Sequence, residues 1–376
     1  MLCSMRRLVC LDGLRGVLAC YVMLSHMAPF VPLPDWLERA LSHGGAGVDV
    51  FFILSGLVIV QSLNSFGYHA RPFLIARVAR IYPVFLVVFV FAMLVQPLPT
   101  GFERMTWIGP DSEARYIWSG GWPSTWRLVL ATHLTMTHGL FPNGVLPDVW
   151  IGFLGAAWSL STEWQFYVLA LLIGERVGLR RMAWLFLGMG LAALAWQAVA
   201  PDAWQFSRAF LPNKAQYFAL GIASAAMVRG QGRADYLTIL LGALLLCGLD
   251  GGIEKLAAPL VWTVCLAAQC SPTVFPSRPL HRPRGVLYWM ERVLRSRPLV
   301  WLGAISYCVY LVNEPVQKLL GVALAAFVQG DATLFTALWL PGAVLLPILA
   351  AWWLHEWIEL PAQRYGRGMA LAVNVQ

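Results

Sequence analysis

Charged residues are scarce in this sequence of 376 residues, at 12% of the chain, where soluble domains average about 25%. No long polar block remains from which a large soluble domain could be built. Apolar residues reach 59%, with 18 Trp, and the mean hydropathy is +0.65. So much apolar surface requires lipid as the solvent for most of the chain. The composition therefore excludes a soluble enzyme, a disordered protein, a secreted disulfide scaffold and a single-pass anchor carrying a large soluble domain.

Cysteine pairs and familiar catalytic motifs are also missing. The seven cysteines contain no CxxC pair and mostly lie in or beside apolar runs, so we expect small core residues instead of a zinc site or a disulfide frame. The sequence has no GxSxG element, no phosphate-binding P-loop and no zinc-protease motif. His133 and His138 are five residues apart and do not share a helix face well. We therefore expect no bound metal.

The positive charge is distributed in a way that indicates membrane topology. The formal charge is +8, and nearly all of the 27 basic residues are arginines in short runs between apolar segments. A nucleic-acid-binding protein would instead cluster its arginines on one polar face. Membrane lipid is thus an expected partner, and nucleic acid is not.

Ten apolar segments are long enough, or nearly so, to cross a bilayer, which needs about 20 residues. The first segment contains Asp12 and Arg15 and has no clean cleavage site, so it is predicted to be a retained helix and not a signal peptide. These features predict an all-α, polytopic integral membrane protein that forms a single domain over residues 1–376. The segments are 8–31, 46–66, 80–98, 151–174, 182–200, 214–229, 235–249, 256–271, 299–327 and 333–358.

The basic residues also predict the orientation. With ten spans and an internal N-terminus, 18 of the 27 basic residues fall on the inside, and eight fall in outside loops or at outer helix ends. Both termini are therefore predicted to be cytoplasmic, in the inner (plasma) membrane. The polar interval 99–150 then forms an outer-side loop, in which the apolar stretch near 128–141 could be a re-entrant segment.

Ionisable side chains inside membrane helices are costly, and they usually mark function. Arg15 and His26 are eleven residues apart, which places them on one helix face and about 16 Å apart along its axis. Such a pair could hold the two ends of a long, thin, anionic ligand. The alternative is that Arg15 pairs with Asp12 and that His26 is a satisfied interior histidine.

Asp49 and the pair Arg77 and Arg80 are the next candidates. Asp49 follows three glycines within four residues and enters an apolar helix, although the glycines also suit tight helix packing. Arg77 and Arg80 lie one turn apart on one helix face, where two guanidinium groups suit phosphate. Anchoring by the positive-inside rule is the alternative for these arginines.

Two further sites contain glutamates. Glu163 falls inside a predicted span, with Ser159 one turn earlier, so its carboxylate needs a base, a proton or a substrate hydroxyl as a partner. A structural ion pair is the alternative. Glu356 and Glu359, near the inner edge of the last predicted span, are expected to be interfacial.

Five motifs in order resemble the membrane acyltransferase family 3, and the resemblance extends from about residue 9 to residue 361. The motifs are LDGLRG followed by His26, GGAGVDVFFILSG, RVARIYP, WSLSTEWQFY and LGAISYCVYLVNEP. Members of this family O-acylate bacterial surface polysaccharides, lipopolysaccharides and some small molecules. The resemblance implies that His26 is catalytic, and its carboxylate motifs fall on Glu163 and Asp49. It also implies that the arginines serve the acyl donor, which is usually acetyl-CoA.

The sequence departs from the family pattern at Asn313, where members often carry histidine. Asparagine can still form hydrogen bonds, but it cannot shuttle a proton at neutral pH. Some relatives also carry an appended esterase-like domain, whereas this sequence stops about fifteen residues after Pro361. We therefore expect it to act alone or with separate glycan-assembly proteins.

The residues and the resemblance together predict an O-acyltransferase. The phosphates of acyl-CoA would lie on Arg77 and Arg80, with Arg15, and the pantetheine arm would follow the first helix to His26. His26 would be the general base for a hydroxyl acceptor such as a glycan, with Glu163 or Asp49 fixing its tautomer. Direct transfer and a covalent acyl relay both fit the sequence.

A transporter or flippase of a glycolipid or organic anion is the alternative from another class of protein. Ten spans with buried Arg, His, Asp and Glu side chains suit a substrate path equally well. Dependence on acyl-CoA separates the two hypotheses, because a transporter would neither need this donor nor release free CoA thiol. An inactive scaffold is disfavoured, since the ionisable residues of all these motifs are present.

Overall fold

The computed structural model describes residues 8–118, 121–147, 152–274 and 285–374. Within these ranges the regular structure is helical, and the one β-type pairing is an isolated bridge between Pro142 and Phe206. The helices are α1 Val9–Met27, α2 Asp35–Leu41, α3 Gly44–Ser65, α4 Ala70–Val95, α5 Glu113–Ile117, α6 Trp126–Leu134, α7 Ala157–Val177, α8 Leu179–Val199, α9 Ala215–Val228, α10 Arg233–Gly251, α11 Ala257–Val274, α12 Val286–Leu294, α13 Arg297–Val328, α14 Ala332–Leu354 and α15 Leu360–Asn374.

Each of the ten predicted apolar segments overlaps one long helix, which confirms the all-α membrane fold. Among the described residues, seven helical stretches are long and apolar enough to cross a membrane. The count of ten spans remains a prediction, because α7, α9 and α11 are not among the seven. The seven stretches are Val9–Phe30, Asp35–Ser65, Ala70–Val95, Leu179–Val199, Arg233–Gly251, Arg297–Val328 and Ala332–Val373.

A stripe of exposed leucines on α10 presents an apolar face to the surroundings. Leu237, Leu241, Leu245 and Leu249 recur every fourth residue, and each is more than half exposed. Residues at this spacing lie on one face of a helix. Such a continuous apolar face is stable against lipid but not against water, as expected of an integral membrane protein.

Helix α1 packs closely against α13 because glycines remove the side chains between them. A Cβ atom on Gly16 would collide with the backbone of α13 at Gly303, and one on Gly13 would collide with the backbone of Leu294, the last residue of the preceding helix α12. A Cβ atom on Gly303 would in turn collide with the carbonyl of Asp12. The glycines of the LDGLRG motif therefore bring two backbones into contact, as small residues do at membrane helix interfaces.

Glycines also allow α3 to pack closely against its neighbouring helices. Gly56 on α3 and Gly221 on α9 face each other, and a Cβ atom on either would overlap with the partner backbone. Gly44 and Gly47 pack on α1 at Ser25 and Val22. The packing interpretation of the glycine-rich motif thus holds for these positions, and it brings α3 beside α1.

The interval between α4 and α7 covers the end of α1. The nine residues of α6 make a helix about 14 Å long, less than half of the roughly 30 Å bilayer core. Trp118 lies between Phe30 and Trp339, with ring centroids 3.8 and 5.7 Å away. Trp107 donates a hydrogen bond to the Phe30 carbonyl at 3.1 Å. These contacts fix the end of the bundle near His26.

Candidate active site

Two cavities lie at opposite ends of the bundle and share part of their lining. The larger, about 620 Å³, is lined by Arg15, Arg77, Arg80 and Arg367 and is called the arginine cavity here. The smaller, about 180 Å³, is lined by His26 and is called the histidine cavity. Val48 and Tyr310 line both cavities. Two chemically different spaces therefore approach each other within the helical core.

Helix α1 connects the two cavities. Arg15 lies near its beginning and His26 near its end, so both belong to one helix as predicted. They do not share one ligand space, however, because Arg15 lines the arginine cavity and His26 lines the histidine cavity. A ligand that reaches both residues must pass Val48 and Tyr310.

The arginine cavity has a strong positive field and donors available for an anion. Among its lining residues, four arginines face a single carboxylate, that of Glu163. Arg77 donates to the Ser62 hydroxyl at 3.0 Å. The Nε atoms of Arg15 and Arg77 are buried without a hydrogen-bond partner. Buried unpaired donors are costly, so these guanidinium groups suit a bound phosphate or another anion.

Glu359 holds Arg80 in place, a role that no sequence pattern indicates. The expectation that this glutamate is interfacial is wrong, because it is 1% exposed, whereas Glu356 is exposed as expected. Its Oε1 lies 3.7 Å from Arg80 Nη1 and accepts a hydrogen bond from Gln363 at 2.8 Å. Residues 355–359 form a π-helical turn, which shifts the register of the last helix and brings the carboxylate inward.

Glu359 is also the centre of a buried polar group with Cys308 and His355. Its Oε2 accepts hydrogen bonds from His355 Nδ1 at 2.7 Å and from the Cys308 thiol at 3.3 Å. These three side chains also have the spacing of metal ligands, with donor atoms within 4.8 Å of one another. In this structure they are joined by hydrogen bonds, and the adjacent Arg80 opposes a further positive charge at this point.

Asn313 fixes the tautomer of His26. Its amide nitrogen donates to the carbonyls of Val309 and Tyr310 at 3.1 and 2.7 Å, which directs Oδ1 towards His26. His26 Nδ1 lies 2.7 Å from this Oδ1 and must be the donor, since the oxygen can only accept. The proton therefore resides on Nδ1, and Nε2 retains the lone pair. The position where the family often has histidine thus orients the ring here.

Neither carboxylate expected to orient His26 does so in the described part of the chain. Glu163 accepts hydrogen bonds from the Ser55 hydroxyl and from the Tyr167 hydroxyl, the latter at 2.9 Å, and it lines the arginine cavity. The expectation that Glu163 or Asp49 fixes the tautomer is therefore wrong. The sequence indicates that Asn313 can form hydrogen bonds, but it does not indicate the partner, because His26 lies 287 residues away in the chain.

Asp49 forms an ion pair within the helical core. Lys214 donates to Asp49 Oδ1 at 2.7 Å, and both side chains are mostly buried. The Lys214 ammonium also lies 5.7 Å from the centre of the Trp158 ring and 5.4 Å from that of Tyr217. This ion pair links α3 to the start of α9, and its two residues are 165 positions apart in the sequence.

The histidine cavity has a polar and aromatic lining. Besides His26 it contains two carboxylates, Glu113 and Glu314, one guanidinium group, Arg208, and the Trp158 ring. Among its described lining residues, carboxylates outnumber guanidinium groups, which is the reverse of the arginine cavity. Carboxylates, an arginine and aromatic rings around a histidine with a free Nε2 lone pair form a setting suited to a polar, hydroxyl-bearing molecule.

His133 and His138 lie together outside the predicted spans, contrary to the expectation from their spacing. Their rings stack with centroids 4.2 Å apart, because α6 ends between them and a 3₁₀ turn returns the chain. His133 Nδ1 donates to the Val129 carbonyl at 2.8 Å. Burial lowers the pKa of His133 to about 4, and burial together with His133 lowers the pKa of His138 well below its usual value. Both rings are therefore neutral at pH 7.

Comparisons with known proteins identify the family of this chain. The family profile described as "Acyltransferase domain", of the acyltransferase 3 family, matches residues 8–356. The chain is 28% identical to a protein named acyltransferase MdmB from Streptomyces mycarofaciens, over 95% of this chain and 92% of that protein. It is 31% identical to a protein named protein 2 in picA locus from Rhizobium radiobacter, over 42% of this chain and 77% of that protein. No solved structure matches.

The profile covers nearly the whole chain, from the start of α1 to the π-helical turn. It includes the lining of the histidine cavity and that of the arginine cavity except for Gln363, Arg367 and Leu371. The similarity to MdmB extends over almost the full length of both proteins. The chain is an acyltransferase that belongs to the acyltransferase 3 family of membrane proteins.

Proposed function

We propose that this protein transfers an acyl group, with acetyl-CoA as the donor, to a hydroxyl of a sugar in a cell-surface polysaccharide, lipopolysaccharide or related glycan. The observation that carries the proposal is the pairing of two cavities along α1. One cavity is rich in arginine, and the other contains a histidine with a defined tautomer. A polyanionic donor and a polar acceptor would each occupy the cavity that complements it.

The donor occupies the arginine cavity in this proposal. The phosphates of CoA would bind Arg77 and Arg80, with Arg15. The Nε atoms of Arg15 and Arg77 have no hydrogen-bond partner among the described residues, so each can donate to an anion. Guanidinium groups match phosphate in both charge and geometry. The thin pantetheine arm would pass along α1 and place the thioester at the boundary formed by Val48 and Tyr310.

His26 acts as the general base. Its Nε2 takes the proton of the acceptor hydroxyl while the hydroxyl oxygen attacks the thioester carbonyl carbon. The new C–O bond forms, the C–S bond breaks, and the CoA thiolate leaves and is protonated from the imidazolium. Asn313 keeps the Nδ1 proton in place, so that Nε2 is the basic atom throughout.

Glu163 and Asp49 support this reaction in the proposal without contacting His26. Glu163 would keep Ser55 and Tyr167 oriented towards the donor arm, because all three residues line the arginine cavity. Asp49 would hold α3 in position through Lys214 and so preserve the lining at Val48. We therefore expect substitutions of Glu163 or Asp49 to affect the use of the donor and the stability of the protein.

The cellular arrangement follows from the charge pattern. The arginine cavity opens at the end of the bundle where α1 begins and where Gln363, Arg367 and Leu371 of α15 lie. With the termini in the cytoplasm and the protein in the inner (plasma) membrane, this end meets cytosolic acyl-CoA. The histidine cavity then faces the outer side, where surface glycans are assembled.

The test uses acetyl-CoA labelled in its acetyl group and membranes that contain the wild-type or the His26→Ala protein. We expect base-labile label in a glycan or lipid fraction with the wild type, and at least about a hundredfold less with His26→Ala. His69→Ala, which removes an exposed histidine outside both cavities, is the matched control. Full transfer by an inserted His26→Ala protein would contradict the proposal. Glycolipid or anion movement without CoA release would favour a transporter.

A further inference from the structure

Glu314 is a carboxylate in the histidine cavity that the proposed reaction does not yet use. It follows Asn313 directly on α13, so it lies next to the residue that orients His26. In residues 8–118, 121–147, 152–274 and 285–374, no hydrogen bond or ion pair reaches its carboxylate. The side chain is half-buried, and ionisable side chains on membrane helices normally have a partner. The missing partner at Glu314 therefore points to a ligand.

The surroundings of Glu314 leave its carboxylate open to the cavity. Gly155 lies against it, and a Cβ atom at that position would overlap with Glu314 Oε2. Lys318 is the positive charge that acts on Glu314 from one turn further along α13. The Lys318 ammonium, however, donates a hydrogen bond to the Gln96 carbonyl at 3.0 Å. Among the described residues, the hydrogen bonds of this ammonium thus go to Gln96, and none joins it to the Glu314 carboxylate.

The cavity around Glu314 selects by charge and by shape. Among the lining residues that the structure describes, the carboxylates of Glu113 and Glu314 outnumber the guanidinium group of Arg208. A carboxylate only accepts hydrogen bonds, so it binds hydroxyl or ammonium groups and repels another anion. The rings of Trp158 and Tyr310 supply flat apolar faces. The volume of about 180 Å³ lies below the range of about 300–1,000 Å³ for drug-sized ligands, which suits a single ring.

We propose that the histidine cavity binds the acceptor as a neutral or basic sugar ring, and that Glu314 selects it by accepting hydrogen bonds from a ring hydroxyl or ammonium group. This inference rests on the proposed function. Glu314 then positions the ring, His26 Nε2 receives the proton of the reacting hydroxyl, and sugars with a carboxylate are excluded. This selection among sugars depends on Glu314 and on the space that its carboxylate occupies because Gly155 has no side chain.

The test compares three methyl glycosides as acceptors, those of glucosamine, glucose and glucuronic acid, with acetyl-CoA as the donor and purified protein in lipid. The wild type is expected to acetylate the first two and to discriminate against the glucuronide. Glu314→Gln is expected to raise the KM for the glucosaminide about tenfold or more and to reduce the discrimination against the glucuronide. The donor KM is expected to stay unchanged, which a general structural defect would not allow.

Two further variants complete the experiment. Gly155→Ala displaces the Glu314 carboxylate and is expected to raise the same acceptor KM. Glu38→Gln removes an exposed carboxylate outside this cavity and is expected to behave as the wild type. Equal discrimination by wild type and Glu314→Gln would overturn the role of Glu314.

The remaining outcomes separate this inference from the proposed function. Acetyl-CoA cleavage without transfer to any of the three glycosides would overturn the sugar-ring pocket while leaving the donor half of the function in place. A preference for the glucuronide would likewise overturn it. Absence of any acetyl-CoA cleavage would count against the proposed function itself.

Discussion

The two cavities differ in charge and in how their polar groups are satisfied. The arginine cavity combines four guanidinium groups with one carboxylate, and two of its buried Nε atoms lack partners. The histidine cavity carries two carboxylates and one guanidinium group around His26. One end is therefore prepared for a polyanion, and the other for a polar molecule that is neutral or basic. The proposed function uses this asymmetry, because its CoA donor is polyanionic and its sugar acceptor is neutral or basic.

The comparison also explains why each cavity needs buried support. Arg80 is oriented by Glu359, and His26 is oriented by Asn313. In both cases a neighbouring residue fixes the geometry of the group that would meet the substrate. Changes at these supports should therefore affect one substrate and spare the other, which is the basis of the predictions below.

Arg80→Ala should give the largest selective effect on the arginine cavity. Loss of a charged hydrogen bond costs about 1.5–3 kcal/mol, so the donor KM should rise about 10–100-fold. The acceptor KM should not change, since Arg80 does not line the histidine cavity. Steady-state kinetics with each substrate varied in turn measure this, with exposed Arg181→Ala as the matched control. An unchanged donor KM would remove Arg80 from donor binding.

Asn313→Leu should affect the histidine cavity instead. Loss of the hydrogen bond frees the His26 ring and leaves its Nδ1 donor unpaired, which costs about 1–3 kcal/mol. We expect kcat to fall about 5–100-fold while the donor KM stays constant. Asn313→Asp retains an acceptor for Nδ1 and should recover much of the activity. Equal losses in the Leu and Asp variants would contradict the tautomer argument.

Much of the fold followed from the sequence, because the lipid environment makes apolar length a strong signal. Each of the ten apolar segments became a helix, and the Arg15–His26 spacing placed both residues on α1. The site was less predictable where its contacts are distant in sequence. The Asn313–His26 hydrogen bond joins residues 287 apart, and the Asp49–Lys214 pair joins residues 165 apart. Helical periodicity relates residues within one helix, so it cannot predict pairs that are this far apart in the sequence.

The position of Glu359 was unpredictable for a local reason. Its burial depends on a π-helical turn at His355–Glu359, where the chain departs from regular α-helical spacing. An ordinary helix would place the side chains of this segment differently. A pattern-based argument assumes the ordinary spacing and therefore assigns this glutamate to the wrong environment.

Glu359→Gln should affect the arginine cavity, as Arg80→Ala does, but by a smaller amount. The amide keeps the size of the side chain but cannot pair with the guanidinium charge 3.7 Å away. We expect the donor KM to rise by about threefold to tenfold, with kcat largely retained. Glu356→Gln, three residues earlier and exposed, serves as the control. If both variants leave the donor KM at the wild-type value, Glu359 does not position Arg80.

Acidification should produce the smallest effect, at the end of the bundle that contains α6. Burial lowers the pKa of His133 to about 4 and that of His138 well below its usual value, against about 6.5 in the unfolded chain. The unfolded chain therefore binds more protons below pH 6.5, so the stability supplied by this pair is complete above that value. It should be lost progressively as the pH falls towards 4.

Melting temperatures of the purified protein between pH 7.5 and 4.5 measure this loss. His138→Gln removes one of the two groups and should reduce the pH dependence of the melting temperature, whereas exposed His69→Gln should not. An identical pH dependence in wild type and His138→Gln would show that the pair does not control acid stability.

The central claim is that donor and acceptor enter from opposite ends of the bundle and meet near His26. Sealed proteoliposomes with a known orientation test it, with acetyl-CoA supplied only on the side of the C-terminus and an acceptor glycoside enclosed on the other side. We expect acetylation of the enclosed glycoside and release of CoA on the donor side, both lost in His26→Ala. Transfer that occurs only when both substrates are on the same side would contradict it.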